Sequence, residues 1–296
     1  MKLKTFITRT ITALILVTVM LWAILDGPYS FATFFGILLF GILWEFYTLI
    51  NASTEVCIFR PLHSFGGVII FLCAFCVASH VTGNSIFILY MIYMMALFIS
   101  RLYARPKNPL RELAYIIMGQ LYIAYPISML AALAFHTQAF PMGEMLMDYS
   151  PLFVLSLFFF IWINDTGAYL TGMTFGKRRL FPSVSPKKSW EGFWGGLIFA
   201  VLLGWGLSYE VVWNFLGINL HDGLRLSTVE WIGMGLVVSI FSTFGDLIES
   251  FVKRSVGVKD SGNILPGHGG LWDRFDSLIM AAPAMIGYLI IVTLLK

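Results

Sequence analysis

Long apolar runs separated by shorter polar segments make up most of the chain. Nine such runs lie at residues 10–25, 31–50, 64–82, 85–100, 114–135, 151–172, 192–209, 231–248 and 278–295. Runs of this kind can cross about 30 Å of hydrocarbon as helices. The pattern therefore predicts an all-α, polytopic integral membrane protein with about nine transmembrane helices.

The positions of lysine and arginine predict the orientation of these spans, because both residues concentrate in cytoplasmic segments. A cytoplasmic N-terminus, with spans alternating thereafter, places 17 of the 19 Lys and Arg residues inside and leaves Arg225 and Lys296 outside. One added or missing span before the end would scramble this distribution. We therefore expect nine spans with the N-terminus in the cytoplasm and the C-terminus outside.

Composition supports the membrane assignment. Hydrophobic residues make up 58% of the 296 residues and charged residues 12%, against a charged share of about 25% in soluble domains. These values exclude a soluble globular enzyme, a disordered chain and a nucleic-acid-binding domain. The formal net charge of +3 is small, so the placement of the charges matters more than their sum.

Two predicted cytoplasmic loops, residues 173–191 and 249–277, are polar and rich in Gly, Pro, Ser and Lys. They are too long to be connectors only, and function is expected there. We divide the chain into an N-terminal set of about five spans, residues 1–150, and a C-terminal catalytic region, residues 151–296. The small-residue stretch 192–196 predicts a close contact with another, unidentified helix.

Carboxylates at membrane depth require a reason, because each costs about 2.5–3.5 kcal/mol on insertion scales. Asp165 and Asp246 fall near the cytoplasmic ends of the sixth and eighth spans. Glu45 lies among aromatic residues, which suggests an interfacial residue and favours a structural or snorkelling role over a functional one. Asp165 and Asp246 are therefore the stronger functional candidates.

A polar helix face begins at Asp246. Glu249, Ser250 and Lys253 follow it at i+3, i+4 and i+7, which places all four side chains on one face. The Asp-x-x-Glu-Ser pattern recurs as Asp-x-x-Asp-Ser from Asp273. The alternative interpretation is that these are two helix ends with ion pairs and that the repeated pattern arises by chance. Two polar faces flanking one basic loop in so apolar a chain nevertheless favour a shared site.

These acids are oxygen ligands without cysteine, which favours a hard cation such as Mg²⁺ over zinc. The basic residues of the two loops suit phosphate oxygens. They are Lys177, Arg178, Arg179, Lys187, Lys188, Lys253, Arg254, Lys259 and Arg274. The alternative is that these basic residues reflect only the positive-inside bias and contact with anionic lipid. That alternative explains their positive charge but not the acidic residues and glycines that lie between them. No P-loop and no GxSxG motif occurs, so metal-assisted phosphoryl chemistry fits the residue types best.

Residues 250–276 carry a long polar signature: S-x-φ-K-R, then K-D, then P-x-H-G-G-φ-x-D-R-φ-D. Upstream, residues 164–169 read N-D-x-x-A-Y and residues 185–192 read S-P-K-K-S-x-E-G. Together these segments closely resemble the CDP-diacylglycerol synthase (phosphatidate cytidylyltransferase) family. The motifs cover about residues 160–277, whereas the first half resembles the family only as a set of spans.

The resemblance implies transfer of a cytidylyl group from CTP to phosphatidate, giving CDP-diacylglycerol and pyrophosphate in phospholipid biosynthesis. It implies dependence on Mg²⁺, a second cation of the K⁺ type in some members, and a homodimer. The implied partners are CTP, phosphatidate and membrane lipids, with no nucleic acid. The expected location is the cell inner membrane, with an active site that faces the cytoplasm.

The resemblance also assigns roles to residues. Asp246 and Asp273 are the expected metal-binding acids. Asp165 is expected either to bind a second cation or to contact the residues that bind the metal. Lys253 and Arg274 complete the expected catalytic set. The expected substrate-binding residues are Asn164, Asp165, Tyr169, Lys187, Lys188, Ser189, Ser250, Arg254, Lys259, His268, Gly269 and Gly270. A structural loop histidine is an equal alternative for His268.

Two other functions are compatible with parts of this pattern. A CTP-dependent lipid kinase would use the same metal and nucleotide but would release CDP. A cation-coupled secondary transporter would use intramembrane Asp165 and Asp246 to carry ions. The acids cluster near one interface, however, and no inverted repeat is visible in the sequence, which disfavours the transporter.

Overall fold

The protein is described from a computed structural model that covers residues 2–104, 106–135, 149–218, 224–262, 264, 265, 267 and 269–296, with side chains from residue 7 onward. The chain divides into two compact units. One contains Met1–Ala131 and Lys253–Phe275, and the other contains Ala132–Val252 and Asp276–Lys296. The units do not follow a single cut in the sequence, so the functional division at residue 150 stays a prediction.

The helices up to residue 134 belong almost wholly to the first unit. They are α1 (Lys2–Asp26), α2 (Pro28–Ser53), α3 (Arg60–Ala78), α4 (Ile88–Ala104), α5 (Pro109–Met118), α6 (Tyr125–Ser128) and α7 (Leu130–Ala134). A 3₁₀ turn, Asn84–Phe87, precedes α4, and a π-helical turn, Gly119–Ala124, joins α5 to α6.

The later elements are mainly those of the second unit. They are α8 (Leu152–Phe175), strands β1 (Arg179–Phe181) and β2 (Ser185–Ser189), α9 (Trp190–Leu207), α10 (Glu210–Phe215), α11 (Thr228–Ser255) and α12 (Trp272–Leu294). The last turn of α11 and the first of α12 lie in the segment Lys253–Phe275, which packs with the first unit.

The described part of the chain contains nine helical stretches long and apolar enough to cross a membrane. They match the nine predicted apolar runs, and the fifth, Pro109–Ala134, combines α5, the π-helical turn, α6 and α7. The all-α, polytopic assignment is thus confirmed. The cytoplasmic position of the N-terminus stays a prediction.

A buried polar network fixes α2 within the first unit. The Tyr47 hydroxyl donates to the Ile116 carbonyl at 3.1 Å, and Gln120 Nε2 donates to the Tyr47 hydroxyl at 3.0 Å. Gln120 Nε2 also donates to the His63 carbonyl at 2.8 Å. These bonds tie α2 to α3, α5 and the π-helical turn. A satisfied buried network of this kind rigidifies the helices that share it.

Small residues on α9 bring it close to α8 in the second unit. A Cβ built on Gly195 would lie 2.0 Å from Thr171 Oγ1, and one built on Gly196 would lie 2.4 Å from Asn164 Oδ1. The predicted close contact of residues 192–196 is therefore present, and its partner is α8. Close approach of small residues is a common way to pack membrane helices.

Candidate active site

A basic β-hairpin replaces most of the predicted loop 173–191. It follows α8, pairs β1 with β2 in antiparallel fashion and leads directly into α9. Ser189 begins α9 as its N-cap, because its Oγ accepts a hydrogen bond from the Gly192 amide at 3.1 Å. The Glu191 carboxylate accepts from the Lys177 and Arg178 amides, which closes the base of the hairpin. This geometry fixes the backbone that carries Lys187 and Lys188.

The hairpin borders a cavity of about 500 Å³ in the second unit. Its walls also come from α8, α9 and α11. Its polar lining residues are Asn164, Asp165, Tyr169, Arg179, Lys187, Lys188, Ser189, Thr243 and Asp246. The cavity thus brings together seven of the residues that the sequence predicts for substrate, metal or catalysis. For Arg179 the sequence predicts only membership of the basic loop, and for Thr243 it predicts no role.

Asn164 ties the floor of the cavity to α11. Its side chain is buried, and its Nδ2 donates to Ser242 Oγ at 3.2 Å and to Thr243 Oγ1 at 3.3 Å. Asp165 follows Asn164 directly and lines the cavity with Asp246. The hydrogen bonds of Asn164 therefore hold α8 and α11 in the arrangement that brings these two acids to one cavity.

Three carboxylates of the second unit form a compact cluster. The ligand atoms of Asp246, Glu249 and Asp276 lie within 4.8 Å of one another. Asp246 and Glu249 are one turn apart on α11, and Asp276 lies in the second turn of α12. Glycine permits this approach of the two helices, since a Cβ on Gly245 would lie 2.7 Å from the Asp276 carbonyl oxygen.

Close carboxylates repel one another unless a proton, a basic side chain or a cation offsets their charge. Lys188 supplies one such charge, because its Nζ lies 2.7 Å from Asp246 Oδ2. Ser250 Oγ donates to the other Asp246 oxygen at 3.3 Å. An all-oxygen set of this kind suits a hard cation, so the residues present fit a divalent metal. Glu249 and Asp276 were not predicted as ligands, although the repeated pattern, Asp-x-x-Glu from Asp246 and Asp-x-x-Asp from Asp273, contains both.

Asp273 is not a member of this cluster and binds other groups in the first unit. Its Oδ1 accepts from Lys253 Nζ at 2.7 Å. Its carboxylate also accepts from the amides of Ser261, at 3.1 and 3.2 Å, and of Gly270, at 2.9 Å. The predicted catalytic residues Lys253 and Asp273 therefore form an ion pair within the signature segment. A metal shared by Asp246 and Asp273 stays a prediction.

The other signature residues occupy the surface or the turn before α12. Arg254, Lys259 and Arg274 are exposed, and Arg254 Nη1 donates to the Val258 carbonyl oxygen at 3.1 Å. Gly269 has a φ of +83°, and a Cβ there would lie 2.8 Å from Asp273 Oδ2, so glycine is required. His268 lies outside the described residues.

The structure distinguishes the two roles, structural and snorkelling, that the sequence favours for Glu45. It is only 3% exposed, so its side chain does not snorkel. Its Oε2 accepts from the Trp272 amide at 3.0 Å and from Ser261 Oγ at 3.3 Å. The structural role is the one observed, and the snorkelling alternative is wrong because the partners that allow burial lie more than two hundred residues away, where no local pattern reveals them.

Comparison with known proteins agrees with the signature. The sequence matches the cytidylyltransferase family over residues 7–292. It is 43% identical to the phosphatidate cytidylyltransferase of Staphylococcus aureus (strain COL) and 44% identical to that of Staphylococcus haemolyticus (strain JCSC1435). Each alignment covers 133 residues, 45% of this chain and 47% of the relative, so the chain spans about half the length of these curated relatives. The chain belongs to the cytidylyltransferase family, as its motifs predict.

Proposed function

We propose that the protein is a phosphatidate cytidylyltransferase, which transfers a cytidylyl group from CTP to phosphatidate. The observation that carries the proposal is the three-acid cluster of Asp246, Glu249 and Asp276, with Lys188 bound to it at the edge of a basic cavity. Family membership and the names of the curated relatives support the same activity.

The charges of the reactants explain why such a site is needed. CTP carries about four negative charges and phosphatidate one or two, so the reactants repel each other. Asp246, Glu249 and Asp276 would hold Mg²⁺, with Asp165 close by in the same cavity. When bound, this ion would polarise phosphate oxygens and offset the charge of the departing pyrophosphate. The roles of Asp165 as a further ligand and of K⁺ as a second cation stay predictions. For Asp273 we propose the ion pair with Lys253 in place of the metal-binding role that the family resemblance implies.

The basic side chains would hold the phosphates in place. Lys188 lies beside Asp246, and Arg179 and Lys187 line the same cavity. An oxygen of the phosphatidate phosphate would attack the α-phosphorus of CTP, and the bond from that phosphorus to the pyrophosphate oxygen would break. The attacking oxygen is already ionised, so no general base is required. Lysine and arginine are suited to orient such charged oxygens through strong hydrogen bonds.

The membrane spans fit the lipid substrate. One reactant is soluble and the other is anchored at the headgroup level. A site near the ends of α8 and α11 can receive CTP from water and lipid from the leaflet. We place this site on the cytoplasmic face of the cell inner membrane. We also propose a homodimer, which the mass of the detergent-solubilised protein would test.

Product analysis of the purified protein in detergent tests the activity. With phosphatidate and Mg²⁺, label from α-³²P CTP should enter the lipid and unlabelled pyrophosphate should be released. Label in lipid from γ-³²P CTP, with diacylglycerol supplied as the hydroxyl acceptor, would instead show a CTP-dependent lipid kinase. A protein inactive in detergent with both labels would contradict both enzymes and favour the transporter, which needs two compartments.

A further inference from the structure

Glu45 joins the N-terminal helices to the signature segment. It lies on α2, in an apolar span, yet both donors to its Oε2 come from residues of the signature. One donor is Ser261 Oγ, and the other is the amide of Trp272, the first residue of α12. A buried carboxylate is unfavourable unless hydrogen bonds compensate for its lost hydration. The two bonds compensate for the burial of Oε2, whereas Oε1 is buried without a hydrogen-bond partner among the described residues.

The contact with Trp272 is a helix cap supplied from a distant helix. The first amides of a helix lack partners within the helix and favour a negative group. Asp273, which follows Trp272, binds the Gly270 and Ser261 amides. Glu45 instead takes the amide of Trp272 itself. Asp273 therefore accepts from the amides that precede α12, and Glu45 accepts from the first amide of α12. Ser261 contacts both carboxylates.

The surrounding packing holds this arrangement in one geometry. The Trp272 ring meets Phe46 edge-on at 5.3 Å between ring centroids. A Cβ on Gly262 would lie 2.7 Å from Glu45 Oε1, so the chain passes directly over the carboxylate. Tyr47, two residues along α2, is fixed by its bonds to Ile116 and Gln120. Glu45 is thus presented from a rigid helix to a segment that is otherwise turn and loop.

We propose that Glu45 is a positioning residue, which fixes the turn before α12 and thereby the Lys253–Asp273 pair that the transfer reaction uses. The inference rests on the proposed function for its catalytic consequence. Ser261 carries the effect, because it donates its hydroxyl to Glu45 and its amide to Asp273. No contact between Glu45 and substrate is required.

Hydrogen exchange with mass spectrometry tests the positioning without reference to turnover. In Glu45→Leu, peptides covering residues 269–275 should exchange at least about tenfold faster, because the Trp272 amide loses its partner. Glu45→Gln keeps an acceptor oxygen and should exchange within about threefold of the wild type. Ser261→Ala removes only one of the two bonds and should give an intermediate rate. Glu55→Leu, at an exposed glutamate just beyond α2, is the matched control and should change nothing.

Activity of the same variants supplies the second readout. Glu45→Leu should lower kcat by at least about tenfold, because the Lys253–Asp273 pair is misplaced. Glu45→Gln should retain most of the wild-type kcat. Unchanged exchange at residues 269–275 in Glu45→Leu, or an equal increase in peptides of α3, would overturn the inference. A wild-type protein without transfer activity would refute the proposed function alone, because the exchange comparison does not depend on catalysis.

Discussion

Lys188 Nζ lies 2.7 Å from Asp246 Oδ2, which joins the basic hairpin to the acidic face of α11. The lysine comes from strand β2 and the aspartate from a helix about sixty residues later. The acid that we propose binds the cation and the lysine that we propose binds phosphate thus lie side by side at one cavity. This pairing suits a reaction in which metal and protein charges act on the same phosphate groups.

Replacing Asp246 should abolish catalysis while the protein still folds. We expect Asp246→Asn to lower cytidylyl transfer by at least about a hundredfold, since metal coordination in such sites contributes several kcal/mol. The measurement is lipid labelling from α-³²P CTP with saturating Mg²⁺. Asp26→Asn, at an exposed aspartate ending α1, is the control and should remain active. Wild-type rates in purified Asp246→Asn would remove Asp246 from the site.

Asp273 and Asp276 should differ in their effect on the metal requirement. Asp276→Asn should raise the Mg²⁺ concentration for half-maximal activity by about tenfold or more, because it removes a carboxylate from the cluster. Asp273→Asn should lower kcat with little change in that concentration, because it breaks the pair with Lys253. A titration of activity against Mg²⁺ measures both. The opposite pattern would restore Asp273 as the partner of Asp246.

Lys188 should contribute more than the other lysines of the hairpin region. Lys188→Met should lower kcat/KM by about 30-fold, which corresponds to about 2 kcal/mol for a hydrogen bond to a charged group. Lys177→Met is a matched control, because Lys177 is exposed and the cavity lining does not include it. Steady-state kinetics in mixed micelles provide the comparison. Equal effects of the two substitutions would indicate general attraction of anions instead of a specific contact.

The contact between α8 and α9 should be sensitive to a single methyl group. Gly196→Ala places a Cβ 2.4 Å from Asn164 Oδ1 and 2.9 Å from the Asn164 carbonyl oxygen. Overpacking of this kind costs about 1–3 kcal/mol. The midpoint of thermal unfolding in detergent should therefore fall. Gly206→Ala, on the same helix with nothing within 4 Å of the new Cβ, should leave the midpoint unchanged or raise it. Equal midpoints for the two variants would contradict the close contact.

Most of the cavity residues were predictable because each carries its own local signal. Asn164, Asp165 and Asp246 are polar within apolar runs, and Lys187 and Lys188 lie in a basic segment. Glu249 and Asp276 lie on the same polar faces, but they were not selected as ligands. Asp273 and Asp276 are one helical turn apart, so periodicity places both on one face of α12. Only the contact of α11 with α12 decides which of them meets Asp246.

The nine spans, the helical class and the family follow from the sequence by itself. Hydrocarbon thickness fixes the length of each apolar run, and the polar signature identifies the family. The tertiary structure decided which acids form one cluster, that Lys188 reaches Asp246, and that Glu45 caps α12. These relationships join residues from helices far apart in sequence. The approach of helices depends on side-chain packing across their whole length, and no local pattern encodes that packing.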